Sequence, residues 1–543
     1  MTSSVDSPRR DDVEKNTSNV NSAIVSTVVT EINDRHSRES NLMEFPTLAN
    51  LAADALTLHI SLLESSLEFL PKHTLTLLLS SALKSNAYKS MLLLLSSWPD
   101  RVLSLKSVVY ATWMDGKKYD DPTEYEKHMV RMGSHYTTSM VQMFIDCLRE
   151  RKPSQLRVLD LRGFPTVDLT IQYLATHIIL AYNEVKQNQI VEIVQQFKDQ
   201  GRIPSADIER FGDLDPIETT LPKGAYAVVV DAVLKDSDTF SELCKALKIC
   251  TFGQVLFHMI VNSIEMVNYC ESQTSILLEL LSKEHLKGLA LPGRESWNLG
   301  WAVTTPLLIN FNQLAALDIS RNSLDLSGNV HLAELTGMTF RALTGLKRLN
   351  LSHNRVGPRL RRLLTPCSVG LEYLNVEACG LTEIDLLFIA NSLHARTLRE
   401  LNLSLNRVST YMNSLCNCLC SLIGTLTWLE IYDSRFRDDH LSQLAHTLSG
   451  IPHLIFLDIS QNDFSGRALL QDLLSPLAAI ESFRTLRISY PLGCYDLPDA
   501  QTFISKIDFI GQANEVVHRS SSHDSKSRYG IVWTEMFPEL LEA

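Results

Sequence analysis

The chain has 543 residues, of which 45% are hydrophobic and 21% charged, a composition typical of folded globular proteins. Its net charge of -12 argues against nucleic-acid partners and anionic membranes, because both require a basic face. No segment approaches the roughly 18 consecutive apolar residues of a membrane span, and the N-terminus lacks the apolar core of a secretory signal. We therefore expect neither a membrane nor a nucleic acid as partner.

The first part of the chain divides into a polar tail and an apolar helical region. Residues 1–44 are rich in Ser, Asn, Asp and Arg, which predicts a disordered tail. After Pro46 and Thr47, apolar residues recur at helical spacing: Leu48, Leu51, Ala52, Ala55 and Leu56. Further apolar segments follow up to Trp98-Pro99. We predict an all-helical N-terminal cap over residues 45–150.

Residues 151–310 read as degenerate repeats. Three apolar stretches predict strands there, at 156–164, 226–234 and 247–257. Between the first two, residues 187–221 are polar and predict an insertion or a long loop.

Residues 311–490 repeat the pattern L-x-x-L-x-L-x-x-N-x-L, with starts at 314, 346, 371, 398, 426, 454 and 483. The usual step between these starts, about 28 residues, leaves room for a helix after each strand. The pattern predicts an α/β fold, a leucine-rich repeat solenoid of the ribonuclease-inhibitor-like horseshoe type. We expect its asparagines, Asn322, Asn354, Asn406 and Asn462, to stack as an internal ladder that binds backbone groups. Cys379 and Ser434 occupy this position in the two repeats that have drifted.

Residues 491–543 predict a C-terminal cap. The Ser- and charge-rich segment 514–528 predicts a mobile loop, and the strand-like residues from Tyr529 onward are placed to cover the last sheet edge.

The ten cysteines form no C-x-x-C pair and no short-spaced framework, so we expect reduced thiols and no metal. A reducing compartment fits this pattern, which favours the cytoplasm and leaves the nucleus open. The chain also lacks the G-x-S-x-G, P-loop and H-E-x-x-H motifs. We expect a non-catalytic protein without a cofactor.

Strand alternation predicts which repeat residues line the concave face. In the middle repeats these are aromatic and acidic: Tyr373, Glu377, Glu400, Trp428, Glu430, Tyr432, Phe456 and Asp458. Aromatic side chains among carboxylates suit the binding of a basic or amphipathic protein, a substrate or a signalling kinase. In an alternative of equal weight, the aromatic rings pack on one another and bind nothing.

An ordered series of motifs resembles the PRAME family over roughly residues 45–543. The series runs through the stretch 47–56, Leu70-Pro71, Ser97-Trp98-Pro99, 156–163 and 226–234, and ends with 491–498 and 532–534. The resemblance implies a substrate receptor of a cullin-2 type ubiquitin ligase that docks through elongin B/C. The family's elongin-binding box falls on Thr47, Leu48, Ala52 and Leu56, where Ala52 replaces the usual Cys.

The cullin-binding box of the family falls on Leu70 and Pro71, with Leu75 as a second anchor. As an alternative function, the resemblance also implies a scaffold that binds a kinase and damps Toll-like receptor and NF-κB signalling. An amphipathic helix that opens a solenoid is, however, often only a cap.

Overall fold

A computed structural model describes residues 48–111, 122–150, 155–196, 208–211, 219–222, 225–252, 255, 257–294, 297–495, 504–520 and 529–536. The predicted tail 1–44 lies outside these residues. The proposed division of the chain into domains stays a prediction.

A parallel sheet of thirteen strands runs through the described chain, and its strands lie side by side in chain order. A separate antiparallel hairpin is formed by Ile208–Phe211 and Thr219–Pro222. The strands are β1 Val102–Ser104, β2 Val158–Val167, β3 Ile208–Phe211, β4 Thr219–Pro222, β5 Tyr226–Leu234, β6 Phe257–Met266, β7 Gly288–Ala290, β8 Ala316–Asp318, β9 Arg348–Asn350, β10 Tyr373–Asn375, β11 Glu400–Asn402, β12 Trp428–Glu430, β13 Phe456–Asp458, β14 Thr485–Ser489 and β15 Gly530–Thr534.

Helices connect the parallel strands, as parallel strands require. They are α1 Leu48–Leu58, α2 Ile60–Ser66, α3 Lys72–Lys84, α4 Tyr88–Ser96, α5 Leu105–Ala111, α6 Pro122–Arg149, α7 Asp168–Gln196, α8 Ser237–Phe252, α9 Glu271–Leu280, α10 Asn298–Leu308, α11 Val330–Ala342, α12 Leu360–Leu364, α13 Glu383–Asn391, α14 Met412–Ser421, α15 Asp438–Ser449, α16 Gly466–Ala468, α17 Leu474–Ala478 and α18 Lys506–Ser520. The result is the predicted leucine-rich repeat solenoid, open and horseshoe-like.

Repeat length sets helix length. The longest repeat, which starts at 314 and ends before 346, contains the 13-residue α11. The shortest, which starts at 346 and ends before 371, contains the 5-residue α12. One leucine in each strand from β7 to β14 points inward and is at most 2% exposed. These leucines, which form one continuous core with the helix side chains behind them, are Leu289, Leu317, Leu349, Leu374, Leu401, Leu429, Leu457 and Leu486.

The predicted asparagine ladder is confirmed. Asn462 is 4% exposed, and its Oδ1 accepts hydrogen bonds from the backbone N–H groups of Ser434 and Phe436, both at 3.0 Å. Its Nδ2 donates to the carbonyls of Ile431 and Ile459 at 3.2 and 2.9 Å. Asn406, two repeats earlier in the chain, makes the same four types of contact. Each amide therefore ties two neighbouring turns together.

The drifted position at Cys379 keeps part of this pattern, because its thiol donates to the Leu351 carbonyl at 3.2 Å. All ten cysteines are free thiols.

One prediction about local structure was wrong and two were wrong in part. Residues 247–252 end helix α8, whose start is capped by the Asp236 carboxylate accepting from the Thr239 N–H at 2.9 Å; the strand begins only at Phe257. The polar stretch 187–221 is not one long loop, because it continues α7 to Gln196; the separate β3–β4 hairpin, which ends at Pro222, agrees with the alternative prediction of an insertion. Residues 514–520 belong to α18, where Val517 is buried, and 521–528 lie outside the described residues.

Both sheet edges are formed by short strands outside the regular repeats. β15 pairs with β14 from Gly530 to Thr534, as the sequence predicted. At the other end β1 pairs with β2, a strand the sequence analysis missed. Within the described residues no helix combines the length and apolar character that crossing a membrane requires.

Candidate functional sites

Helix α1 presents its large apolar side chains to solvent. Leu48 is 83% exposed, Leu51 50% and Leu58 67%, while the buried positions are Ala53 and Thr57. Leu48, Leu51, Ala52, Ala55 and Leu58 lie on one side of the helix, and we call this set the N-terminal stripe. An amphipathic helix normally turns such a stripe toward the core. In this chain the orientation is reversed.

Small and polar side chains hold α1 in this orientation. The Thr57 hydroxyl donates to the Ala53 carbonyl at 2.9 Å and lies 3.1 Å from the Ser81 hydroxyl of α3. Ser81 in turn donates to the Asp54 carboxylate at 2.5 Å, and Ser90 of α4 donates to the Thr57 carbonyl at 2.5 Å. A hydrogen-bonded contact of small residues thus fixes the helix, leaving the leucines uncovered.

The predicted elongin-binding residues divide between the two sides of α1. Leu48 and Ala52 are exposed on the N-terminal stripe, whereas Leu56 is half-buried and packs against the core. Thr47 lies outside the described residues.

The predicted cullin-binding residues lie on either side of the start of α3. Pro71, the residue before its first turn, is exposed, and Leu70 is half-buried. Leu75 is only 6% exposed and belongs to the core of the cap, so it has no free surface for a second anchor. Phe69, which the sequence analysis passed over, is 84% exposed beside Leu70.

The concave residues of the repeats form rows across the sheet. Tyr373, Glu400, Trp428 and Phe456 are direct neighbours on β10 to β13. The next row outward along the strands contains Glu430 and Asp458. Glu377 and Tyr432 lie just beyond their strands and are joined by a hydrogen bond of 2.5 Å from the Tyr432 hydroxyl. The structure therefore brings these eight residues together, and we call them the aromatic patch.

The side chains of the aromatic patch contact one another and leave little surface for a partner. The Trp428 ring stacks on Phe456 with centroids 3.7 Å apart, and Phe456 is completely buried. Phe456 is therefore unavailable to a partner, contrary to the prediction that it forms part of a binding surface.

The carboxylates of the patch are also occupied. The Arg348 guanidinium binds Glu400 through two hydrogen bonds of 2.9 and 2.8 Å, and Arg487 lies 3.2 Å from Asp458. Glu430 accepts from the Trp428 indole at 2.7 Å. Most of the negative charge that the sequence displays here is thus neutralised or hydrogen-bonded within the sheet.

Burial has the largest effect on the pKa values of Glu430 and Tyr432 in this patch. It raises the pKa of the Glu430 carboxyl, and the nearby Asp458 carboxylate adds to the effect against the hydrogen bond from Trp428. Burial also raises the pKa of the Tyr432 hydroxyl, followed by its hydrogen bond to Glu377. Glu430 consequently holds its proton more readily than an exposed glutamate.

A cavity of about 480 Å³ opens on the concave face farther toward the N-terminus. Its floor consists of residues with little or no side chain on β6 to β8, namely Ser263, Gly288, Ala290 and Ala316. We call this cavity the trough. It reaches Tyr373 of the aromatic patch at one end. Gly288 is required by packing, because a Cβ there would lie 2.7 Å from the Ser263 Cβ.

Three half-buried carboxylates line the trough: Asp231, Glu265 and Asp318. Asp231 accepts from Asn262, and Asp318 from Asn350. Arg348 also lines the trough, and its guanidinium binds Glu400 of the aromatic patch. No ion pair joins any of the three carboxylates to a cation within the described chain. No sequence motif marks this surface, because small residues at concave positions carry no recognisable chemistry. The available signal was the row of Ser, Gly and Ala itself.

No protein-family model matches the chain. Curated relatives do: leucine-rich repeat-containing protein 14 of Xenopus laevis is 28% identical over 230 residues, covering 41% of this chain and 45% of that protein. The Homo sapiens protein of the same name is 29% identical over 233 residues, covering 41% and 46%. The match thus spans less than half the length of these relatives.

Two solved structures are similar at low superposition scores. The Rad7 and Elc1 complex of yeast matches with 13% identity and a TM-score of 0.35 over 82% of this chain and 96% of that one. The TLR13–ssRNA13 complex matches with 14% identity and a TM-score of 0.22 over 49% and 48%. TM-scores this low support no inference about function. Over about two fifths of its length the chain is similar to leucine-rich repeat-containing protein 14, which confirms the resemblance to the PRAME family.

Proposed function

We propose that this chain is a non-catalytic protein-recognition subunit whose N-terminal stripe docks on elongin C of an elongin B/C cullin-2 type ubiquitin ligase. The exposed leucines of α1 carry the proposal. Contiguous exposed apolar side chains on a folded protein mark an interaction site, and an amphipathic helix laid into an apolar groove is a common docking mode.

The geometry of α1 suits this docking. Leu48 projects with 83% of its surface free, and Ala52, one turn later, is small enough to let a partner approach the helix closely. Leu70 and Pro71 follow before α3 and are the proposed contact with the cullin. Leu75 is left out of this contact because it is buried.

In this proposal the solenoid binds the target protein on its concave face. The trough, together with the adjoining Tyr373, offers open volume and carboxylates without a cationic partner among the described residues, whereas the aromatic patch is largely occupied by its own contacts. A target segment with Lys or Arg side chains would complement the trough. The proposed location of the complex is the cytoplasm, with the nucleus as an alternative.

Binding of purified elongin B/C to the full chain, measured by calorimetry, tests the docking step. Leu48→Glu places a charge against an apolar pocket, and we expect binding to weaken by about thirtyfold or more, roughly 2 kcal/mol. Leu299→Glu is the matched control, because Leu299 is 77% exposed on α10, outside the stripe. Ala52→Cys restores the residue usual in the family's box and should tighten binding. Wild-type affinity in Leu48→Glu, or no elongin binding by the wild type, would refute the docking step.

Target recognition requires a separate readout. Ala316→Trp fills the trough, so proteins that the wild type captures from cells should be lost by this variant and retained by Leu48→Glu. Trp428→Ala combined with Tyr432→Ala tests the aromatic patch in the same way. If a captured partner needs the concave face and elongin B/C does not bind, the chain acts as a stoichiometric scaffold, as the Toll-like receptor and NF-κB alternative requires.

A further inference from the structure

The outer helical layer has a notch next to α12. The repeat that contains α12 is the shortest of the series, and its helix has only five residues, against thirteen in α11 and nine in α13. Because α12 ends early, one side of α13 lacks the neighbour that other helices of the layer have. The notch is a cavity of about 480 Å³ between the end of α12 and α13.

The sequence of α13 is apolar on more than one side. Leu386 and Ile389 face the core and are at most 1% exposed. Ile384 and Leu387 nevertheless point outward into the notch, at 60% and 38% exposure, and Leu393 adds a further apolar side chain at 41%. A helix that is apolar all round is normally buried all round. One apolar side of α13 is thus without a partner in the described chain.

The floor of the notch is fixed. The Nδ1 atom of His394 accepts from the Leu371 backbone N–H at 3.1 Å, and its Nε2 lies 3.3 Å from the Leu364 carbonyl. The His394 ring also contacts Phe388 edge-on, with centroids 6.4 Å apart. A partner would therefore meet a preformed groove, which reduces the entropic cost of binding.

Two arginines belong to the segments that form the notch, although the whole chain is acidic. Arg361 lines the notch. Arg396 does not line it but ends the short helix Leu393–Arg396, which contributes Leu393 and His394 to the cavity. Both arginines are exposed, and neither has a carboxylate partner among the described residues. The two acidic residues at the start of α13 are already engaged. Glu383 accepts from the Ser414 hydroxyl at 2.7 Å, and the buried Asp385 accepts from Thr382 and from the Leu360 N–H.

We propose that this notch docks one amphipathic helix of a partner protein, with apolar residues at i, i+3 or i+4 and i+7 and acidic residues on the flank beside Arg361 and Arg396. Ile384, Leu387 and Leu393 supply the apolar contact. The arginines select an acidic helix over a basic one. This interaction is independent of the N-terminal stripe and of the concave face, which lie on other parts of the solenoid.

Fluorescence anisotropy with helical peptides tests the proposal on the full chain. The probe is a set of peptides of about four helical turns with leucines at i, i+4 and i+7 and glutamates on the flanks, together with the same set carrying lysine for glutamate. We expect saturable binding of acidic peptides at least tenfold tighter than that of basic ones. Ile384→Ser should weaken binding at least tenfold, and Ile276→Ser on α9, a residue 45% exposed, should leave it unchanged.

Charge reversal provides a second, opposite readout. Arg361→Glu combined with Arg396→Glu should weaken the acidic peptides and strengthen the basic ones, while circular dichroism confirms the fold. The proposal is overturned if no acidic peptide binds, if the two peptide sets bind equally, or if Ile384→Ser and Ile276→Ser behave alike.

Discussion

The regular repeats and the N-terminal cap use their polar and apolar groups in opposite ways. In the repeats, buried asparagines satisfy the backbone, and the concave aromatic and acidic residues bind one another. In the cap, Thr57 and Ser81 make the internal contact of α1, while leucines face solvent. A side chain committed to an internal contact contributes to stability, and one left exposed is available to a partner. Substitutions should therefore separate the two regions by what they change.

The largest effect on stability is expected at Asn462→Ala. The substitution leaves the N–H groups of Ser434 and Phe436 and two backbone carbonyls without partners in the core. Each unsatisfied buried group costs about 1–3 kcal/mol, so we expect a loss of roughly 3 kcal/mol or more in the free energy of unfolding, measured by urea denaturation. Asn413→Ala, on the exposed side of α14, is the control and should change stability by less than about 0.5 kcal/mol. A loss below about 1 kcal/mol at Asn462 would show that the ladder is dispensable.

A smaller effect is expected where α1 is attached. Thr57→Val keeps the shape of the side chain and removes its hydrogen bonds to Ala53 and Ser81, at a cost of about 1 kcal/mol. Hydrogen exchange should then show lower protection of the α1 amides and unchanged protection in the repeats. Thr76→Val on α3, whose hydroxyl makes an exposed local contact, serves as the control. Equal loss of protection in both regions would mean that cap and solenoid unfold together.

The sequence predicted the repeats well because their signal is periodic and local. The spacing of leucines places every strand from β8 to β13, and the asparagine position predicts the ladder. Strand alternation also assigned Phe456 to the concave face, but it contains no information about the stacking of Trp428 that buries it. Helical periodicity found the stripe of α1 without showing which side faces the core, since that depends on α3 and α4, distant in sequence. The trough arises where concave positions carry small side chains, and the notch arises where one helix is short. A motif search detects neither, because both features result from the absence of bulk.

A still smaller effect on the free energy of unfolding is expected when the pH is lowered, and it arises from His394 in the repeats. Burial lowers the pKa of His394 below its ordinary value of 6.5, so the unfolded chain binds this proton at a higher pH than the folded one. The His394 contribution to stability is therefore present above pH 6.5 and is lost as the pH falls below it. His394→Asn retains an acceptor for the Leu371 N–H and should reduce the difference in unfolding free energy between pH 7.5 and 5.5, by up to about 1 kcal/mol. An unchanged difference would assign the acid sensitivity to other groups, His258 among them, whose pKa burial also lowers.

The smallest effect on stability is expected in the N-terminal stripe, and it tests the comparison most directly. Burying a leucine contributes about 1.5–3 kcal/mol, so in an ordinary amphipathic helix replacing two leucines by serine would be severely destabilising. Leu48 and Leu58 are 83% and 67% exposed, so little of that contribution is present in this fold. We expect Leu48→Ser combined with Leu58→Ser to change the free energy of unfolding by less than about 0.5 kcal/mol, as surface substitutions do, while abolishing elongin B/C binding. A loss above about 1.5 kcal/mol, the contribution of one buried leucine, would mean that these side chains are covered in solution, and the cap would then resemble the repeats.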